Sequence, residues 1–473
     1  MSGTTGKTAE KKQKKNTGGA AGASSRISRR TWFNVVLFGL MGQIAWNVEN
    51  MYFNTFLFNR IGGTTRDINV MVAASAATAV ITTFLMGALS DRIGKRKPLI
   101  SVGYILWGVS VMTFAFISRE NTARILPGAD AARVLAVTVS MVVVMDCVMT
   151  FMGSTCNDAA FNAWLTDVTD KTNRGRVESV NTILPLAAML LVTVGFGMGA
   201  TALGYPACFI GLGLLVIFCG VLGLFTIKDA PHVRKNSENY FKELTYGFRP
   251  AVIRANASLY ILLAAQCIGA IAMQVIVPYI FIYLQHYMGF DFNNLNLSPA
   301  IIVVAVVAVG AAVAAVLIFG RVVDRFGKDR FVIPAAILQT AGLALAYPMR
   351  SLLGFIPAAA IFGVGQVMIG IMLGAAVRDH TPRDKVGSFQ GVRMIFNVLL
   401  PMVIGPKIGS LVIERFAQNH AAGTYINDYG ESVAAPVPEI FLAAAIVAVF
   451  TLIPLIVMRR RGFEAPEEAE EDG

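Results

Sequence analysis

The sequence predicts an all-α polytopic membrane protein of twelve transmembrane helices in two six-helix bundles (a 6+6 pseudo-repeat), with both termini cytoplasmic. Three observations predict it. Of 473 residues, 55% are hydrophobic and only 15% are charged, with a mean hydropathy of +0.61; a soluble domain carries about 25% charged residues. Twelve apolar stretches approach or exceed the roughly 20 residues that a helix needs to cross the hydrocarbon core. The cations fall overwhelmingly on one side of the alternation those stretches define.

In chain order, residues 1–30 form a polar, Gly/Ala/Ser/Thr-rich basic tail. No apolar core of signal-peptide length with a small-residue cleavage site follows it, so it reads as disordered and cytoplasmic. The spans are 31–59, 68–89, 99–118, 134–166, 177–199 and 207–227, then 257–283, 299–319, 331–349, 353–376, 389–413 and 438–458. The first and fourth are long enough to require tilt or a break. This sets an N-terminal bundle at 31–227, a central cytoplasmic loop at 228–256, a C-terminal bundle at 257–458 and an acidic cytoplasmic tail at 459–473. Within the central loop, Tyr240–Arg254 mixes apolar and basic residues as a membrane-surface helix does.

Orientation follows from the cations. With a cytoplasmic N-terminus, 31 of the 40 Lys and Arg residues are cytoplasmic. Arg60, Arg66, Arg119, Arg124, Arg133, Arg350 and Arg415 lie outside, and Arg393 and Lys407 lie within a span. The net charge of +11 is therefore a topological label, and no nucleic-acid partner is called for. A multi-pass protein of the cell (inner or plasma) membrane is expected, as a monomer in the bilayer.

Cys147, Cys156, Cys208, Cys219 and Cys267 sit inside apolar runs without metal-ligand spacing, as small packing residues do. The four histidines fall in predicted loops. No Walker loop, zinc spacing or Ser/His/Asp constellation is legible. Neither an enzyme, a cofactor, a metal site nor ATP-driven transport is expected.

The two halves echo one another. Gly87-Ala-Leu-Ser-Asp91-Arg92-Ile-Gly94-Lys95-Arg96 follows the second span, and Gly320-Arg-Val-Val-Asp324-Arg325-Phe-Gly327-Lys328-Asp329 follows the eighth, 233 residues later. Asp167-Val-Thr169 through Gly175, Val180 and Ile183 follows the fourth span and matches Asp379-His-Thr381 through Gly387, Val392 and Ile395 at an offset of 212. Transporters are commonly built from such repeats, with the substrate near the midplane between them. The twelve spans, cytoplasmic ends, long central loop and paired G-x-x-x-D-R-x-G-K/R loops resemble the major facilitator superfamily over residues 31–458. The resemblance implies alternating access by two rocking bundles. It also implies a gating role for Gly87, Asp91, Arg92, Gly94, Arg96, Gly320, Asp324, Arg325 and Gly327. Asp91 and the Arg92/Arg96 pair are expected to link helix ends across a contact between helices 2 and 11.

Polar groups inside spans are costly, so they carry the functional information. Gln43, Asn47, Asn50 and Asn54 are spaced i, i+4, i+7, i+11, which on an ideal helix places them within an arc of about 60°. Amides both donate and accept hydrogen bonds, as sugar hydroxyls do, and the stripe suggests a wet cavity. Glu49 lies on another face, beside Trp46 and Phe53; it is either a proton-titrating group or the partner of an arginine. In the fourth span, Ser154, Thr155, Asp158 and Asn162 share an arc of about 100°, with Asp158 about 13 Å into the membrane. Asp146 lies further out and on another side of that helix, a further candidate for proton or cation coupling.

Thr155-x-x-Asp158-Ala-Ala-Phe161, running into Leu165-Thr166-Asp167, resembles the fourth helix of the glycoside–pentoside–hexuronide:cation symporters, the melibiose-carrier and sucrose–proton group. The resemblance implies that Thr155 and Asp158 serve sugar and coupling cation together. That family's second helix carries paired carboxylates, whereas Ala79–Gly87 here offers Thr82 and Thr83, so proton coupling through Asp158 or Glu49 is preferred to sodium.

In the C-terminal half, Arg393 occupies the place in span 11 that Asn181 holds in span 5. It is a candidate charge partner for Asp158 or Glu49, or it snorkels to the interface. Gln266, Gln274, Gln366 and Asn397 complete a candidate polar lining, each with the alternative of an ordinary helix–helix hydrogen bond. The expectation is a secondary transporter importing a sugar or glycoside with protons. Two alternatives stand beside it: a drug/proton antiporter, and a non-transporting membrane sensor of the same fold.

Overall fold

The computed structural model describes residues 27–169, 174–229, 246–290, scattered positions of 300–318, and 330–382 and 386–462. The basic tail, most of the central loop, the acidic tail and the second G-x-x-x-D-R-x-G loop (Gly320, Asp324, Arg325, Gly327) lie outside the described residues. So does much of the span expected at 299–319, which is helical wherever it is described.

The N-terminal half is built from α1 (Arg29–Val48), α2 (Thr65–Ile93), α3 (Lys97–Thr113), α4 (Ala131–Gly153), α5 (Arg174–Leu191) and α6 (Gly204–Thr226). The C-terminal half contributes α7 (Ala257–Ile276), α8 (Val332–Ala346), α9 (Leu352–Asp379), α10 (Leu400–Phe416) and α11 (Glu439–Val449), which continues as Leu452–Arg461. Among the described residues, eight helices are long and apolar enough to cross a membrane.

Local chemistry sets the ends. Ser28 caps α1 and Asp130 caps α4 through their side-chain oxygens, and Thr64 with Asp67 forms a reciprocal capping box at α2. Gly94, at φ +67°, ends α2 in the left-handed conformation that residues with a Cβ disfavour. The helices pair as α3 with α6, α8 with α9, α7 with α10 and α1 with α5. The α3–α6 approach depends on missing side chains: a Cβ on Gly108 would lie 2.4 Å from the carbonyl oxygen of Gly213. Small residues admit such close backbone packing where lipid offers no hydrophobic drive. Across the halves, α2 packs on α10.

The long first and fourth spans do break, and in one way. α1 passes into π-helical turns at Glu49–Phe53 and Phe56–Ile61, and α4 into one at Ser154–Phe161 before helix resumes at Asn162–Val168. Further π turns occur at Val192–Phe196, Tyr283–Tyr287 and Ile395–Leu399. Such turns add a residue to the local repeat and concentrate at functional sites.

Two features differ from expectation. The described part of Tyr240–Arg254 is not one amphipathic helix: Tyr246–Phe248 is a single 3₁₀ turn and a new helix starts at Pro250. The residue before a proline is pushed to extended backbone, and Arg249 adopts ψ 132°. The segment between α10 and α11 holds an unexpected antiparallel hairpin, Thr424–Ile426 paired with Ser432–Ala434. All five cysteines are free thiols, buried or half-buried.

Candidate functional site

The π turn in the fourth span decides where Asp158 points and what holds it. Ser154 Oγ donates to Asp158 Oδ2 at 3.0 Å, and Asn157 Nδ2 reaches Oδ1 at 3.2 Å. The Trp46 side chain of α1 lies beside Asp158. Asn157 is fixed in turn by the Tyr104 hydroxyl at 3.0 Å from its Oδ1. Thr155, expected to act with Asp158, instead donates to the Phe151 carbonyl at 2.7 Å and is buried. The added residue per turn brings Ser154, not Thr155, round to the carboxylate.

Asp158 opens on a cavity of about 260 Å³ lined by Gln43, Asn157, Asn162 and Asn181, with Gly39, Phe161 and Leu184. Gln43, Asp158 and Asn162 were legible beforehand as candidates and the fold brings them together. The rest of the first-helix stripe does not join them as one surface. Asn47, Asn50 and Asn54 each donate to the carbonyl four residues back, Gln43, Trp46 and Asn50, at 2.8 Å. Asn54 is fully buried. From Glu49 onward the π turns end the 100° per residue spacing that would align Asn50 and Asn54 with Gln43.

A second polar cluster lies among α1, α2 and α4. Glu49 Oε1 accepts from Ser75 Oγ at 2.7 Å and from Thr150 Oγ1 at 3.1 Å, and the two hydroxyls are 2.7 Å apart. Asp146, one turn before Thr150, lies within electrostatic reach of Glu49. Both carboxyls are buried, and Glu49 Oε2 and Asp146 Oδ1 have no hydrogen-bond partner among the described residues. Among the described residues, neither Glu49, Asp146 nor Asp158 is in an ion pair. Glu49 is therefore not the partner of an arginine there, and the charge pair expected between Arg393 and Asp158 or Glu49 is not formed. Two like charges cannot share a water-excluded site unpaired, so this cluster can hold a proton or a cation between its oxygens.

In the C-terminal half, Gln266 Oε1, Arg393 Nε and Asn397 Oδ1 are each buried without a hydrogen-bond partner among the described residues. Gln366 is engaged with Gln339 on the neighbouring helix, the ordinary helix–helix reading. Lys407 is exposed.

Arg96 makes its described contacts within its own half. It is buried and pairs with Asp167, at the end of the fourth span of its own half, at 3.0 Å, while its Nη1 donates to Ser90 at 2.6 Å. Asp229 accepts from the backbone N–H groups of Arg96 and Lys97, both at 2.8 Å. The two motifs that echo between the halves thus meet in space within one half. Arg92 is exposed and Gly87 half-buried, as a loop-proximal helix end allows.

Ser75, Thr150, Asn157 and Tyr104 were not legible as site residues. Ser75 and Tyr104 are hydroxyls isolated in apolar helices, whereas two signals were readable: Thr150 one turn after Asp146, and Asn157 beside Asp158 in a polar run.

The family described as the Major Facilitator Superfamily matches residues 31–406 and 293–473. Multidrug resistance protein 2 of Bacillus subtilis (strain 168) is 22% identical over 304 residues, covering 60% of this chain and 64% of that protein. This chain therefore spans under two thirds of that relative's length. Among solved structures, the nucleoside transporter NupG superposes with a TM-score of 0.66 at 13% identity, covering 90% of this chain and 99% of that one. A bacterial homolog to the human lysosomal transporter Spinster, in an inward-facing and unoccupied conformation, gives 0.60 at 12% identity over 92% and 97%. At these identities the structures share the fold.

Proposed function

The chain belongs to the Major Facilitator Superfamily, and on that premise we propose that it is a proton-coupled secondary transporter importing a polar, hydroxyl-rich solute of the sugar or glycoside class. The observation that carries the proposal is the cavity at Asp158, whose rim is amide on three helices: Gln43, Asn157 with Asn162, and Asn181. Such a lining can donate to and accept from vicinal hydroxyls at once. Gln266, Arg393 and Asn397 supply unpartnered polar atoms from the other half, where the second side of an alternating-access site belongs. The likeness of the Thr155-x-x-Asp158 segment to the glycoside–pentoside–hexuronide group supports the same reading.

Proton coupling is assigned to Asp158 and to the Glu49–Asp146 pair. A buried carboxyl without a cation partner exchanges its proton when solvent reaches it and holds it when solvent is excluded, which is the requirement for coupling. The gating assignment rests on the helix-end loop at Gly87–Arg96, with Arg96 acting through Asp167.

The test is uptake into proteoliposomes under an imposed proton gradient, with a panel of sugars and glycosides and a pH-sensitive dye inside. Internal acidification that depends on one sugar is the expected result. A second reading, proton-driven export of a small molecule, is favoured by the name of the Bacillus relative. Substrate-dependent proton movement opposite to substrate, with no response to any sugar, would replace the first reading by the second.

A further inference from the structure

On the predicted outer face, three arginines of the N-terminal half each meet a carboxylate of the C-terminal half. Arg66 grips Glu414 through Nε and Nη2 at 3.1 and 2.8 Å, Arg60 lies 4.0 Å from Asp428, and Arg119 grips Glu431 through Nη1 and Nη2 at 3.1 and 2.8 Å. The sense is uniform, with the cation always from the first half and the anion always from the second. These three belong to the few cations that the sequence places outside, against the prevailing charge bias.

The pairs are unequal. Arg60 and Arg66 are exposed, where water and salt weaken an ion pair. The Arg119 side chain is only 8% exposed. Its Nε donates to the Ile61 carbonyl at 2.7 Å, and its guanidinium stacks 3.8 Å over the Tyr429 ring. The chain beneath it must be glycine: Gly62 has φ +78°, and a Cβ there would lie 2.5 Å from Arg119 Nη2.

The partner carboxylate comes pre-set. Asn427 Oδ1 accepts from the backbone N–H of Tyr429 and Glu431 at 3.0 and 2.9 Å, and Asn427 Nδ2 holds Glu431 Oε2 at 2.9 Å. The hairpin then reaches across the halves twice more. Tyr429 donates to the Arg60 carbonyl at 3.0 Å, and Tyr425 stacks on Phe58 with ring centroids 5.4 Å apart.

We propose that the hairpin Thr424–Ala434 is a latch that closes the predicted outer access to the site, with Arg119 as its bolt and Glu431 as its catch. The exposed pairs are a salt-sensitive rim, and opening outward requires the hairpin to leave Arg119, Phe58 and Arg60 together. The proposal rests on the two-bundle reading above but not on the identity of any substrate.

Hydrogen–deuterium exchange of the full chain in lipid nanodiscs tests it. Glu431→Gln keeps size and removes the charge, and loss of a charge-assisted bidentate contact is worth roughly tenfold in the opening equilibrium. Exchange is expected to rise about that much in both 424–434 and 59–66, with peptides around Arg96 and Asp167 unchanged; Glu414→Gln should produce a smaller rise. A second measurement reads access directly. Gln43→Cys, in a background with the five native cysteines replaced, should react faster with an impermeant maleimide applied from the hairpin side when Glu431→Gln is added. Faster exchange confined to 424–434, or unchanged labelling at Gln43→Cys, overturns the latch. Neither readout uses a substrate, so failure of the sugar–proton reading would leave both results interpretable.

Discussion

Gly42 on α1 faces Asn157 on the fourth span so closely that a Cβ would lie 2.3 Å from the Asn157 amide oxygen. That amide orients Asp158, so the absence of a side chain at one residue sets the position of a carboxylate on another helix. Gly42→Ala is expected to displace Asn157, at a stability cost of about 1–3 kcal/mol from overpacking. Ligand affinity should fall further than stability alone explains. Thermal unfolding with and without ligand checks both; full affinity in the alanine variant would mean that Asn157 does not position Asp158.

Asp158→Asn retains the hydrogen-bonding outline of the cavity and removes the group that can exchange a proton. Exchange of labelled substrate across the membrane at equilibrium should persist, while accumulation against a gradient is abolished. Undiminished accumulation would remove Asp158 from the coupling mechanism.

Ser75 donates to the buried Glu49 carboxyl and meets the Thr150 hydroxyl beside it. Ser75→Ala should destabilise the chain by about 1–3 kcal/mol, the cost of leaving buried acceptors unmet. Adding Glu49→Gln, which supplies its own donors, should recover part of that loss. Chemical denaturation of the single and double variants measures the difference, and strict additivity would show that the three groups do not share a site.

Removing one member of a buried ion pair costs more than the pair contributes. Asp167→Asn should therefore destabilise by about 1.5–3 kcal/mol, because the buried Arg96 guanidinium loses a charge-assisted hydrogen bond. Replacing both residues with apolar side chains of similar volume should restore much of the loss. A double-mutant cycle on thermal stability is the check, and a coupling near zero would assign the loop to surface charge alone.

The Arg119 guanidinium, then the Asn427 amide, holds the Glu431 carboxyl below its usual range. A lowered carboxyl contributes stability above its unfolded pKa, and loses it as pH falls through the folded one. Hairpin amide protection should thus persist through mildly acidic solution and fade only below about pH 4.3, the ordinary glutamate value. Loss of protection between pH 7 and 6 would mean that the Glu431 carboxylate is not what holds the hairpin.

How far the site was legible depended on whether it lay within one helix. Gln43, Asp158 and Asn162 could be picked out because a polar group in an apolar span is conspicuous wherever it points. Asn54 and Thr155 were equally conspicuous, yet both turn inward to their own helix. Ser75 could not be seen at all, since a serine in a span is cheap and common until a carboxylate from another helix is placed on it.

The sequence by itself determined that this chain is a membrane protein of apolar helices and that Glu49, Asp146 and Asp158 are among the few ionisable groups within them. Hydropathy, cation bias and repeat spacing are properties of single segments, and they survive without knowledge of packing. Only the tertiary structure decided which of those groups meet. It gave Glu49 to Ser75 and Thr150, Arg96 to Asp167 and Arg119 to Glu431, and left Arg393 without an ion pair among the described residues. The physical reason is that a contact between segments depends on how they pack, which no single segment's periodicity encodes, and the π turns further shift the facing of the residues that follow them.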